Sequence, residues 1–263
     1  MLINELLAED LQNEGVKQTI AATVMSVLTA LGMGAATNKS QTQDNQPVSA
    51  TQAQPQAQPQ AQPQAQPQVQ PQDPTQTIIN VGERAGLKDQ ALILFTNLVI
   101  EGLKAGIKGT ELVAFVSQCA HESQGFTRMH ERGNNDDFNK HYGPEYKNNA
   151  SKRLGNIKPG DGALFHGRGY VHLTGRSNYK IFGRKLKTKL KIDLVKNPDL
   201  AADPKYAAQI AAEFWKNRVQ TPGMDYSNVK MVTRGINSGL AGLDMRQKQF
   251  DKYAQAGMSL PEN

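Results

Sequence analysis

The chain has 263 residues, a formal net charge of +6, 38% hydrophobic residues and 6% aromatics. That length allows one sizeable domain plus an appendage, and the low apolar share means that part of the chain packs no core. A single cysteine rules out an intrachain disulfide framework and a cysteine-built metal cluster, and no run of 18 strongly apolar residues exists to suggest a multi-span membrane protein.

In chain order, residues 2–14 place Leu2, Ile3, Leu6, Leu7 and Leu11 at helical spacing among Glu5, Glu9 and Asp10, which predicts a small acidic amphipathic helix. Residues 20–36 are weakly apolar and rich in Ala, Gly, Ser and Thr. The acidic segment before them does not supply the basic start of a standard secretion signal. Residues 1–37 are therefore expected to dock weakly on a membrane, a partner or a virion. Residues 53–72 are five tetrapeptides, AQPQ four times and VQPQ once. Proline at every fourth position biases the backbone to polyproline II, and Ala and Gln offer nothing to bury. Residues 38–76 thus read as a disordered Gln/Pro-rich linker, whose repeat reaches roughly 60 Å if extended. Residues 1–76 hold two lysines and six carboxylates, net −4, so residues 77–263 carry +10. The basic balance of this part favours an anionic partner.

Residues 77–263 read as one mostly α domain. Leu87, Ala91, Leu94, Phe95, Leu98, Val99 and Leu103 follow a 3.6-residue period that Gly106 ends. A second helix starts near Thr110. Asp203-Pro204 is an N-cap with proline at the first helical position, opening a helix that carries Ala207, Ile210, Ala211 and Phe214 on one stripe. Helices are also expected around 229–236 and 243–253. The best strand signal is Tyr170–Thr174, a small β element.

The chemistry concentrates between positions 119 and 179. On the helix from Thr110, the stripe Phe115, Cys119 ends in Glu122. Burial penalises a charged carboxylate, and a carboxyl so placed is suited to proton donation; the alternatives are that Glu122 turns outward or pairs with an arginine. Glu131 follows nine residues on, before a Gly-Asn-Asn turn that could bring it across a groove. Two opposed carboxyls are what glycoside hydrolysis requires: one protonates the leaving oxygen and the other activates water. In GDGALFHGRGYVHLTGRSNY, dense glycines permit close backbone approach to a ligand, and alternation puts Tyr170, His172 and Thr174 on one polar strand face. The spacing fits neither a phosphate loop nor a dinucleotide fingerprint. His121-Glu122 lacks the second histidine of a zinc protease motif, since position 125 is glycine. His130, His141, Asp136 and Asp137 fit no standard metal spacing. Cys119 reads as a packed thiol, and the basic run Lys180–Lys191, without aromatic interleaving, as a solvated face that an anionic envelope would attract rather than nucleic acid.

Six motifs in order, AHESQGF (120–126), Glu131, LGNIKPGDGALFHGRGYVHLTGRSNY (154–179), LVKNPDLAADP (194–204), AAEFW (211–215) and GINSG (235–239), resemble glycoside hydrolase family 19, in its phage endolysin branch. The resemblance spans roughly residues 86–255. It implies a lysozyme-like, two-lobed α domain that cleaves β-1,4 bonds beside N-acetylglucosamine or N-acetylmuramic acid, with inversion and without cofactor or metal. Carried over by motif, Glu122 is the general acid, Glu131 the general base, and Thr174 a holder of the attacking water. Asn178, Tyr179, Asn237 and Arg246 line the sugar groove, with His121, Tyr170 and His172 as further contacts. His172 stands where the family commonly has Gln, and Ser238 replaces one glycine of the family's Ile-Asn-Gly-Gly motif. The implied partner is the glycan strand of peptidoglycan, acted on by a monomer in the bacterial periplasm or cell wall. Chitin is the alternative substrate, and a non-catalytic wall-binding virion module the alternative function.

Overall fold

The computed structural model describes residues 74–258 except 148. The expectations for residues 1–37 and for the linker up to residue 73 lie outside the described residues. The first helix begins at Pro74, three residues inside the expected linker.

Ten α-helices run through the described residues: α1 Pro74–Arg84, α2 Asp89–Lys104, α3 Gly109–Glu122, α4 Asn135–Tyr142, α5 Asn149–Leu154, α6 Asp161–Leu164, α7 Arg176–Leu190, α8 Pro204–Arg218, α9 Val229–Ile236 and α10 Leu243–Gln255. The long helices follow the apolar periodicity of the sequence. Leu94, Phe95, Leu98 and Val99 of α2 and Leu112, Phe115, Val116 and Cys119 of α3 are all buried. The Asp203 side chain accepts from the Lys205 amide and caps α8, with Pro204 at the first position where no amide hydrogen is needed.

Helices α2 and α3 form the centre, with α10 packed on α3, α8 on α2, and α9 against both α3 and α10. Aromatic contacts knit this layer. Phe95 stacks on Tyr253 at 5.7 Å, Phe126 sits 6.1 Å from Tyr170, and Phe115 meets Trp215 edge-on at 5.3 Å. The Trp215 indole donates to Glu111 Oε1, so the one tryptophan buries its ring without stranding its N–H. The short helices α5 and α6 both pack on α4, and this group meets the larger one through α5 against α7. This second group is the smaller lobe.

No strand forms among the described residues. The expected β element is reduced to two isolated antiparallel bridges, His130 with Arg168 and Arg168 with Leu173. The reason is local. Residues 170–172 turn, with His172 at φ 43°, so the chain doubles back before a ladder can propagate. Gly169 makes this crossing possible. Its φ is +74°, and a side chain there would meet the Ala201 carbonyl oxygen at 2.4 Å.

Candidate active site

A groove of about 590 Å³ lies between the two groups of helices. Its lining includes Glu122, Glu131, Tyr142, Arg153, His172, Thr174, Asn178 and the Ile236–Gly239 loop. The two glutamates therefore share one cavity, although they come from different elements and sit in different surroundings.

Glu122 is the last residue of α3, one turn beyond the buried Cys119. Its side chain is 20% exposed. It is not sheltered among apolar groups: the arginine partner left open by the sequence is present. Arg246, near the start of α10 and 1% exposed, donates to Glu122 Oε1. The same guanidinium donates to Gln118 Oε1 and to the Ala241 carbonyl, and Gln118 in turn donates to Thr233 on α9. Helices α3, α9 and α10 are thereby tied into one buried polar network ending on Glu122. Among the described residues no hydrogen bond reaches Glu122 Oε2, and Glu122 lines the groove.

Glu131 follows the helix end in a loop bound to the Gly-rich segment. Its amide donates to the Gly167 carbonyl at 2.8 Å, and the Gly169 amide donates to the Met129 carbonyl. The Gly167 amide donates to Glu131 Oε2 at 2.8 Å, and the Tyr142 hydroxyl donates to Oε1 at 2.6 Å. Each carboxylate oxygen keeps a further acceptor position for a proton or a water. Burial first, then the bond to Glu131, pushes the Tyr142 phenol far above its usual range, so it stays protonated and donating.

Gly167 is small because the site closes around it. A methyl group there would lie 3.0 Å from Glu131 Oε2 and 3.2 Å from Thr174 Oγ1. Both oxygens thus border the same space. Thr174 donates its hydroxyl proton to the His172 carbonyl, which turns the oxygen's lone pairs outward to accept from a water. Behind this segment, Arg168 is 5% exposed and donates to Asp199, to the Leu164 and His166 carbonyls and to the Tyr179 hydroxyl, pinning Gly167–Gly169 in place.

Asn178 sits in the first turn of α7, donates to the Thr174 carbonyl, and accepts from Arg218 of α8. Asn237 caps the end of α9 and accepts from the Gly239 amide, which shapes the loop on the far wall. His172 lines the groove with its ring 3.3 Å from the Arg128 carbonyl.

Four expected sugar contacts lie elsewhere. Tyr170 is fully buried and donates to the Leu94 carbonyl, because the turn at 170–172 replaces the strand that would have aimed it into the groove. Tyr179 is also fully buried; its hydroxyl donates to the His166 carbonyl, and burial, opposed by Arg168, raises its phenol to about 12. Arg246 faces Glu122 instead of a sugar. His121 is half-buried beside Gly242 and is absent from the groove lining. Conversely, Tyr142, Arg153 and the Gly167 amide went unread in the sequence. The legible signal for Tyr142 was Asn134 three residues before Asp137, a capping box that opens α4 and carries Tyr142 to its end. Among the described residues no group of His, Cys, Asp and Glu is placed to hold a metal ion.

The sequence matches the family model of class I chitinases over residues 91–233. A glycosyl hydrolase family 19 domain-containing protein of Haemophilus influenzae is 31% identical over 169 residues, which cover 56% of this chain and 80% of that protein. Chitinase 8 of rice is 36% identical over 106 residues, 40% of this chain but only 34% of the plant enzyme. Among solved structures, chitinase C of Streptomyces griseus superposes with a TM-score of 0.50 at 20% identity, covering 70% of this chain and 94% of the other, which supports the lysozyme-like helical fold. A family match across more than half of its length, reinforced by the bacterial relative, makes this chain a member of glycoside hydrolase family 19 and a glycoside hydrolase.

Proposed function

We propose that the chain is an endolysin-type hydrolase that cleaves β-1,4 bonds in the glycan strands of peptidoglycan, with inversion at the anomeric carbon. The observation that carries this reading is the pairing of Glu122 and Glu131 in one groove with divided environments. Glu131, held on both oxygens by Tyr142 and the Gly167 amide, takes the proton of a water that Thr174 helps to orient. Glu122, clamped through Oε1 alone, delivers a proton from Oε2 to the departing sugar oxygen. In the inverting scheme the attacking water enters on the face opposite the leaving group. No step calls for a cofactor. The excess positive charge of residues 77–263 suits an anionic wall polymer, and the proposed place of action is the bacterial cell wall.

The names of the relatives favour a second reading, hydrolysis of chitin, a neutral N-acetylglucosamine polymer. Product analysis on purified peptidoglycan and on chitin oligomers decides between them. Peptidoglycan hydrolysis predicts new reducing ends from the former at a higher kcat/KM, with the α-anomer formed first. Faster cleavage of chitin would move the assignment to the second reading, and initial β-anomer would remove the inverting mechanism.

A further inference from the structure

Arg153 lines the groove with both glutamates, but no part of the proposed reaction uses it. It lies on α5 in the smaller lobe, is exposed, and no carboxylate among the described residues pairs with it. Its charge is felt at the Tyr142 phenol, which places it on the Glu131 side of the cavity. The other groove charges already have partners: Glu122 has Arg246, and Glu131 has two hydrogen-bond donors. On the α7 side, Arg218 is exposed and bonded only to the neutral Asn178 amide. From there the exposed residues Lys180, Arg184 and Lys187, at i, i+4 and i+7, form one cationic stripe along α7.

A neutral sugar polymer rewards such a wall poorly. Hydroxyls and acetamido carbonyls give a guanidinium only neutral acceptors, whereas a carboxylate matches its fork with two charge-assisted bonds. We propose that Arg153 is a specificity-determining residue, receiving a carboxylate that the glycan carries beside the scissile bond. The site then selects an anionic N-acetylhexosamine polymer over a neutral one. This rests on the hydrolase reading above and deepens it by naming the substrate feature recognised. In peptidoglycan the carboxylate has two sources: the lactyl group of muramic acid where the peptide stem has been removed, or the stem itself.

The test measures reducing-end release by the full chain and by R153Q and R153K on intact soluble peptidoglycan strands, on stem-free strands, on the same two polymers with carboxyls amidated, and on chitin oligomers. Wild type is expected to lose about tenfold or more in kcat/KM, mainly through KM, when the recognised carboxylate is amidated. R153Q is expected to lose a similar factor on the charged polymer and to respond little to amidation, with R153K between the two. If amidation harms only stem-free strands, the lactyl group is the source; if only intact strands, the stem is. Either result supports the proposal. Equal losses for R153Q on charged, amidated and neutral polymers, with an unchanged thermal midpoint, would overturn it. So would a wild type indifferent to amidation. Inactivity of the wild type on every polymer would overturn the hydrolase reading itself, and the proposal with it.

Discussion

Tyr142 shows how a single hydroxyl can fix the position of a carboxylate. Its proton is committed to Glu131, and burial keeps it there. Tyr142→Phe removes that bond and leaves the ring, so Glu131, the proposed general base, loses one of its two tethers. We expect kcat to fall about tenfold, the rate equivalent of one hydrogen bond to a charged group, with little change in thermal midpoint. A kcat within twofold of wild type would show that the Gly167 amide suffices. Arg246 is a different case, since its charge is buried and shared among Glu122, Gln118 and the Ala241 carbonyl. Arg246→Ala strands a partly buried carboxylate and is expected to cost about 3 kcal/mol of stability as well as activity, which chemical denaturation will read. Both glutamates were legible in the sequence because helical spacing carried Glu122 to the end of a buried stripe and the turn after Glu131 brought its loop back. Tyr179 was placed in the groove by motif alone and is buried instead, whereas Tyr170 was misread for a local reason. Alternation assigns faces only where a strand exists, and His172 at φ 43° breaks the period just where the assignment was made.

The elements divide by how much of their order the sequence carries. Helices α2, α3 and α8 bury an apolar stripe, so periodicity revealed them, whereas α10 buries only Arg246 and Tyr253. Phe115 of α3 illustrates what that stripe is worth: it is fully buried against Trp215 and the face of Gly102. Phe115→Ala is expected to destabilise the domain by about 3–5 kcal/mol, measured by urea unfolding. The short helices α4, α5 and α6 have little apolar signal; α4 buries only Phe138. Their order comes in part from bonds between residues distant in sequence, such as Asp161 accepting from Arg176 and Asn139 Oδ1 accepting from the Ala163 amide. The Gly-rich crossing is the most sequence-intolerant element. Gly169→Ala meets both a left-handed backbone and the Ala201 carbonyl, so it is expected to lower the thermal midpoint by several degrees and to impair catalysis by displacing Glu131.

At the scale of the whole molecule, pH sets the stability in two windows. Burial, then the charge of Arg246, holds His121 below 6.5 against the pull of Glu122, and burial does the same to His166 against its bond to the Ala163 carbonyl. The folded state prefers both rings neutral, so the unfolded chain takes up protons first. Their contribution is full above about pH 6.5 and is lost as pH falls through the lowered values. For Asp161, burial opposes the charge but is outweighed by Arg176 and the two amides, which hold the carboxyl below 3.8. That contribution is present above about pH 4 and is lost in stronger acid. A thermal midpoint that declines from pH 7 to pH 5, with a shallower slope in His166→Gln, is the expected result; a flat profile would remove the histidine contribution. The same scale holds the charge asymmetry: the acidic residues 1–76 and the strongly basic remainder were plain from composition, while the groove that the charge surrounds needed the fold.

All of these levels converge on two carboxyls that share one groove and are proposed to work across it. Their roles are tested most directly by reducing-end release from N-acetylhexosamine polymers, measured for the wild type, Glu122→Gln and Glu131→Gln, each shown to be folded by circular dichroism. The account predicts that either substitution lowers kcat by about 100-fold or more, the usual contribution of a general acid or base. A folded variant of either kind that releases reducing ends at a near-wild-type rate would contradict it.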